Sequence, residues 1–121
     1  MSKKQIESYI PKAMEVLDDE FQDGIIPSAY NGYISSFGAS IIQSGLKPTL
    51  ALFENTNAKT KESKEYLTYI IVRILTGKKD DISLLRYVMK KNNEELMKQK
   101  IMDISIAIKL SIRTFKLDKG E

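Results

Sequence analysis

The side chains able to do chemistry in this chain are few in kind. It contains no histidine and no cysteine. That removes disulfides, thiolate nucleophiles, imidazole or thiolate metal sites, and the side chain most used for proton transfer near neutral pH. The carboxylates Asp18, Asp19, Glu20 and Asp23 remain as oxygen ligands for a hard cation. Their spacing does not suit one. A calcium loop counted from Asp18 needs glycine where Asp23 stands and glutamate where Ala29 stands. The run therefore reads as the solvated end of a helix. No pair of carboxylates sits at a fixed spacing in an apolar setting that would split their pKa values for hydrolysis. Catalytic residues, metal ligands and cofactors are accordingly all predicted to be none. A small nuclease built from carboxylates and lysine is the enzymatic alternative.

Binding chemistry is better represented. At helical periodicity Lys98, Lys109 and Lys116 fall within about 20° of one another and Arg113 about 60° away, so they can track one line of phosphates. Phosphate contacts supply affinity without reading sequence; for the stripe taken by itself, an ordinary solvated face ranks ahead of that reading. Lys47 is the sole charge between Gly24 and Glu54 and joins these four as a candidate RNA contact. Lys78, Lys79, Lys90 and Lys91 fall at predicted helix ends, where complementing the helix dipole explains a cation. Gly32, Ser36 and Ala39 form a small face that would let a neighbouring subunit or RNA approach, although internal helix packing is the simpler expectation. Tyr30, Tyr33, Tyr66, Tyr69 and Tyr87 could stack on bases, but most share stripes with aliphatic residues and read as core.

The elements that must position these residues are helices. Apolar residues Ile6, Tyr9, Ile10, Ala13, Val16, Leu17 and Phe21 recur at three- and four-residue spacing, predicting a first helix from Ser2 to Gln22. A kink or break is expected near Glu7 to Ile10, because Pro11, interior to the helix, removes a hydrogen bond and clashes with the preceding turn. A second helix spans Ser28 to Ser44, with Tyr30, Ile34, Phe37 and Ile41 inward and Gly45 as a left-handed cap. A short third helix runs from Lys47 or Pro48 to Asn55, followed by a polar loop to Thr60. The fourth runs from Lys61 to Thr76 and is ended by Gly77. The fifth starts at an Asp81 cap and reaches Lys91, with Ile82, Leu85, Val88 and Met89 inward. The sixth and longest runs from Asn93 to Lys116. It carries Met97, Ile101, Ile104, Ile108, Ile112 and Phe115 on one stripe and Leu96, Ile106, Leu110 and Leu117 on another. Two stripes imply either a central helix or a surface for a partner.

The fold class predicted is thus all-α, a compact bundle of five to six helices forming a single helical domain over residues 1–121. With 42% apolar and 29% charged residues the composition is that of a packed globular protein. Residues 1–24 carry 3 basic and 6 acidic groups, and residues 82–121 carry 9 basic and 5 acidic. An acidic front and a basic back suit an anionic partner met on one side. The N-terminus reaches acidic residues before any apolar run, and no stretch approaches membrane-spanning length. A cytoplasmic protein with no membrane contact is expected.

The stretch from Tyr33 to Phe53 resembles the small helical subunit of the type III-B CRISPR effector, the Cmr complex. Its pattern is a helix ending in a small or polar residue and Gly-Leu, then a short helix with Leu-Ala and an apolar pair. Ser44-Gly45-Leu46 and Leu50-Ala51-Leu52-Phe53 match it. The likeness continues through Tyr66 to Gly77 and into Ala107-Ile108 and the basic-aromatic ending Arg113-Thr114-Phe115. Members often carry a tryptophan just before that ending, where this chain has Ser111. The resemblance implies a non-catalytic, RNA-contacting small subunit of a guide-RNA ribonucleoprotein in antiviral defence. Its partners would be other Cmr subunits, copies of itself, guide RNA and target RNA. A generic helical adaptor, binding a partner helix through exposed apolar stripes, is the competing reading.

Overall fold

The computed structural model describes residues 3–54, 60–79 and 82–118. Among them are six helices: α1 (Lys3–Glu20), α2 (Ala29–Ser44), α3 (Leu46–Phe53), α4 (Lys64–Thr76), α5 (Leu84–Met89) and α6 (Glu94–Ile112). Two three-residue strands accompany them, β1 (Ile25–Pro27) and β2 (Lys116–Asp118), paired in parallel with Ile26 opposite Leu117. The all-α class holds, and the strand pair is an addition that periodicity did not signal.

The apolar stripes of α1, α2, α4 and α6 meet in one core. Leu17, Tyr30, Phe37, Ile41, Leu67, Ile70, Ile71, Ile101, Ile104 and Ile108 are each wholly buried. Burying one such side chain contributes about 1.5 to 3 kcal/mol. α6 packs against α1, α2 and α4. Because β1 follows α1, β2 follows α6 and the strands run parallel, the C-terminal ends of α1 and α6 lie together.

Several boundaries differ from the sequence reading, each for a local reason. α1 runs unbroken through Pro11. Pro11 and Glu7 are both exposed, so the carbonyl deprived of its partner lies on the solvent side, where water can serve it. Gly45 adopts φ 98° and ψ 167°, an extended glycine conformation and not the left-handed helical cap. Its N–H closes α2 on the Ile41 carbonyl, and its own carbonyl accepts the Thr49 N–H to start α3 one residue early, at Leu46. One glycine thus both ends one helix and begins the next. α4 starts at Lys64, because Lys61 and Glu62 are held out of the helix: Tyr30 and Tyr33 donate their hydroxyls to those two carbonyls, each at 2.8 Å. The predicted Asp81 cap and the loop residues 55–59 lie outside the described residues. α5 is capped by Ser83, whose hydroxyl oxygen accepts the Arg86 N–H. Ile82 precedes that cap, and Met89 is exposed and not inward.

Two ionisable groups are buried where the stripes predict apolar packing. Glu20, at the end of α1, is 6% exposed. Its carboxylate accepts hydrogen bonds from the Tyr66 hydroxyl and from the Arg73 guanidinium at 2.5 Å. Asp19 beside it accepts from Arg73 at 3.0 Å and pairs with Lys79 at 3.1 Å. The acidic run is therefore only partly a solvated helix end, and Asp19 and Glu20 tie α1 to α4. Lys61 completes the junction by donating its ammonium group to the Glu20 carbonyl at 2.5 Å.

The second group is Asp103 on α6, 2% exposed, with one carboxylate oxygen lacking any hydrogen-bond partner. Burial pushes its carboxyl above the ordinary range.

Replacing Arg73 by alanine leaves Glu20 buried and uncompensated, so a loss of about 3 to 5 kcal/mol is expected in urea denaturation. Asp103→Asn should act in the opposite direction. A raised folded-state pKa means that the ionised form opposes folding, so stability falls as pH rises through that pKa. The variant should exceed the parent at pH 7 by about 1 kcal/mol or more, and the gap should close on acidification as the parent protonates. Unfolding curves at a series of pH values measure both limbs.

Candidate nucleic-acid interface

Sequence reasoning places Lys98, Lys109, Arg113 and Lys116 on one helical stripe. The fold keeps three of them there. Lys98 is half-buried on α6, Lys109 is exposed on the last turns, and Arg113 is the exposed C-terminal cap. Lys116 leaves the helix, which corrects the helical angle assigned to it. The chain turns at Thr114 and Phe115, whose N–H groups bond the Ser111 and Ile112 carbonyls, and Lys116 enters β2 with its N–H on the Gly24 carbonyl at 3.2 Å. Its side chain remains exposed. Lys109, Arg113 and Lys116 thus cluster where α6 passes into β2. Lys98 stands about 22 Å before Arg113 along the axis.

Lys47 lies elsewhere and is not alone. On the first turn of α3, it pairs with Glu94 at the start of α6 at 3.2 Å, both side chains being about half exposed. An ion pair this exposed is worth about 0 to 1 kcal/mol, so a polyanion could displace the glutamate. Lys79 and Arg73 are engaged by Asp19 and Glu20. By contrast, Lys109, Arg113 and Lys116 make no ion pair within the described residues.

The fold also redistributes the charge read along the chain. The acidic front meets Arg73 and Lys79, and the strand pair brings the basic end beside Gly24. Front and back are neighbours and not opposite poles.

Gly32, Ser36 and Ala39 are all exposed on α2. The internal packing expected for them does not occur, and a Cβ added at Gly32 meets nothing within 4 Å. Asn31, Ser35, Ile42 and Gln43 extend the same uncharged surface, on which Ile42 is 72% exposed. Next to it on α3, Leu52 is also exposed, while Thr49 is buried and bonds Ser40 through their hydroxyls at 2.7 Å. The large apolar side chains left open here escaped sequence reasoning, since helical periodicity assigns Ile42 to neither of the faces first distinguished.

The tyrosines are accounted for by structure. Tyr30 is wholly buried, Tyr33 and Tyr66 spend their hydroxyls on internal acceptors, and Lys91 lies 4.6 Å from the Tyr87 ring centre. Burial drives the Tyr30 and Tyr66 hydroxyls well above the usual phenol range, with the Glu20 hydrogen bond adding to the rise at Tyr66. Both stay protonated donors. No group of three or more acidic side chains able to hold a metal ion occurs among the described residues. No helix there is long and apolar enough to cross a membrane.

The open position of Gly32 in mid-helix has a measurable consequence. Gly32→Ala should raise stability by about 0.5 to 1 kcal/mol, because alanine gives up less backbone entropy in a helix and has room here. Thermal unfolding of the two proteins reads the difference.

A protein-family model described as CRISPR-associated protein (Cas_Cmr5) matches residues 4–109. No curated protein and no solved structure gives a match.

Proposed function

The chain belongs to the CRISPR-associated Cas_Cmr5 family and is a Cmr complex subunit, and we propose that within this complex it is a non-catalytic element contacting guide or target RNA. The observation that carries the reading is the cluster of Lys109, Arg113 and Lys116, exposed together where α6 passes into β2 and unpaired within the described residues. Three free cations in one place offer phosphate contacts that suit any RNA sequence, as a subunit serving interchangeable guides requires. Lys98 and Lys47, nearer the other end of α6, would extend the track once Glu94 yields its pair. The uncharged face of Gly32, Ser36, Ala39 and Ile42 supports docking of a neighbouring Cmr subunit or another copy of the chain. Interface centres are depleted of charge, and small residues let backbones approach closely. Such work needs no cofactor, and the cytoplasm, where guide RNA is found, is the matching compartment.

The test is reconstitution of the full Cmr complex with the Lys109→Ala, Arg113→Ala, Lys116→Ala variant. All three positions are exposed, so helicity and assembly with the other subunits should persist. RNA retention should weaken, and the slope of log affinity against log salt should fall by about 2, as expected for three lost contacts to a single strand. Unchanged retention and unchanged slope would reject this interface. Cleavage of RNA by the purified subunit, abolished by changing its own carboxylates, would reject the non-catalytic reading.

A further inference from the structure

The outward face of α6 carries more than cations. At 3.6 residues per turn, Glu95, Met102, Ile106 and Arg113 fall within about 20° of a single line, opposite the buried stripe of Met97, Ile101, Ile104 and Ile108. Glu95 and Arg113 are exposed and make no ion pair within the described residues, while Ile106 and Met102 are half-buried, Met102 resting in part against the core. Glu95 precedes Met102 by seven residues, and Arg113 follows Ile106 by seven. The order acid, apolar, apolar, base, with these equal intervals, is its own complement when the line is reversed.

We infer that this ridge pairs with the same ridge of a second copy of the chain, α6 antiparallel to α6 about a two-fold axis. The register that sets Met102 against Ile106 of the other copy also sets Glu95 against Arg113, once at each end. Two ion pairs then close an apolar centre, and each surface patch meets itself as an isologous contact requires. A parallel arrangement in register would instead oppose Glu95 to Glu95 and Arg113 to Arg113. Exposed Leu110 lies on one flank, where it gains Gln99 of the other copy as a neighbour. On the other flank Lys98 and the second copy's Lys109 come to the same height, which opposes the contact and keeps it reversible. One helix against one helix also covers less than the roughly 800 Å² per partner of a stable interface. The dimer is therefore a weak, concentration-dependent state of the free subunit.

Pairing occupies Arg113. If Arg113 also contacts RNA as proposed above, the two uses exclude one another, and free copies surrender their mutual contact on joining the ribonucleoprotein. The dimer itself does not depend on the RNA reading.

Sedimentation of the full chain from about 10 µM to 1 mM at low salt tests the inference. The parent should show a monomer–dimer equilibrium. Glu95→Arg should weaken it by about tenfold or more, by turning both ion pairs into repulsions, and Arg113→Glu should do the same. The double variant Glu95→Arg, Arg113→Glu rebuilds both pairs with the charges exchanged and should restore the parental dissociation constant. A chain that stays monomeric throughout, a dimer indifferent to Glu95→Arg, or a double variant no better than the singles would overturn the inference. RNA retention by the assembled complex separates the two readings. Glu95→Arg adds positive charge and should not reduce it, so loss of the dimer with RNA retained isolates the self-contact.

Discussion

The burial of Glu20 against Arg73 is the constraint on which much of the arrangement turns. A carboxylate 6% exposed would be costly without a partner, and it lies at the point where α1 must stop and the chain must turn. Arg73 comes from the last turn of α4, the Tyr66 hydroxyl comes from its first turn, and Lys61 holds the Glu20 carbonyl from the connector. α1, α4 and the segment leading into α4 are thereby locked at one place by charge-assisted hydrogen bonds, which are shorter and stronger than neutral ones. With Lys61 and Glu62 pinned to Tyr30 and Tyr33, the start of α2 is drawn into the same junction. The apolar core provides most of the driving force, but it is non-directional. These bonds decide which ends meet.

A similar division between force and direction appears at the other joins. Gly45 changes the path from α2 to α3 through a backbone conformation that is essentially glycine's alone. Glu54, at the end of α3, then reaches the start of α5. Its carboxylate accepts the Ser83 hydroxyl at 2.5 Å and the Leu85 N–H at 3.2 Å, placing negative charge at a helix N-terminus where the dipole favours it. Phe37 and Phe53 pack edge to face across the α2–α3 pair, with ring centres 5.2 Å apart. Asp103 and Ser111, both on α6, are the exceptions among these satisfied groups, each with a buried oxygen that has no hydrogen-bond partner. The unpartnered Asp103 oxygen lies on the helix that contributes most to the core.

For function, the consequence of this packing is what it leaves uncovered. α6 is enclosed by α1, α2 and α4, so its opposite side is exposed at both ends, as at Glu95 and Arg113, and half-buried between them at Met102 and Ile106. α2 turns its large residues inward and leaves an uncharged, small-residue face with Ile42 protruding. The basic corner and the neutral face of α2 are thus distinct surfaces, whereas the ridge on α6 shares Arg113 with the basic corner.

Much of this was legible in the sequence. The six helices, the inward stripes of α2 and α6, the helix ends at Gly45 and Gly77, and the start of α6 near Asn93 follow from periodicity and local backbone preference. Both act over a few residues and need no knowledge of what lies across the core. The ordered motifs from Tyr33 to Phe115 carried the family likeness for the same reason. Arg73 is the sole charge between Tyr66 and Thr76, and the sequence reading drew nothing from it. The choice of Glu20 over its acidic neighbours was decided only by tertiary structure, as were the pairing of β1 with β2, the departure of Lys116 from the helix, the engagement of Lys47 by Glu94 and the exposure of Gly32, Ser36 and Ala39. Each joins or separates residues far apart in the chain, and such distances are set by how whole helices pack, not by the spacing of side chains along any one of them.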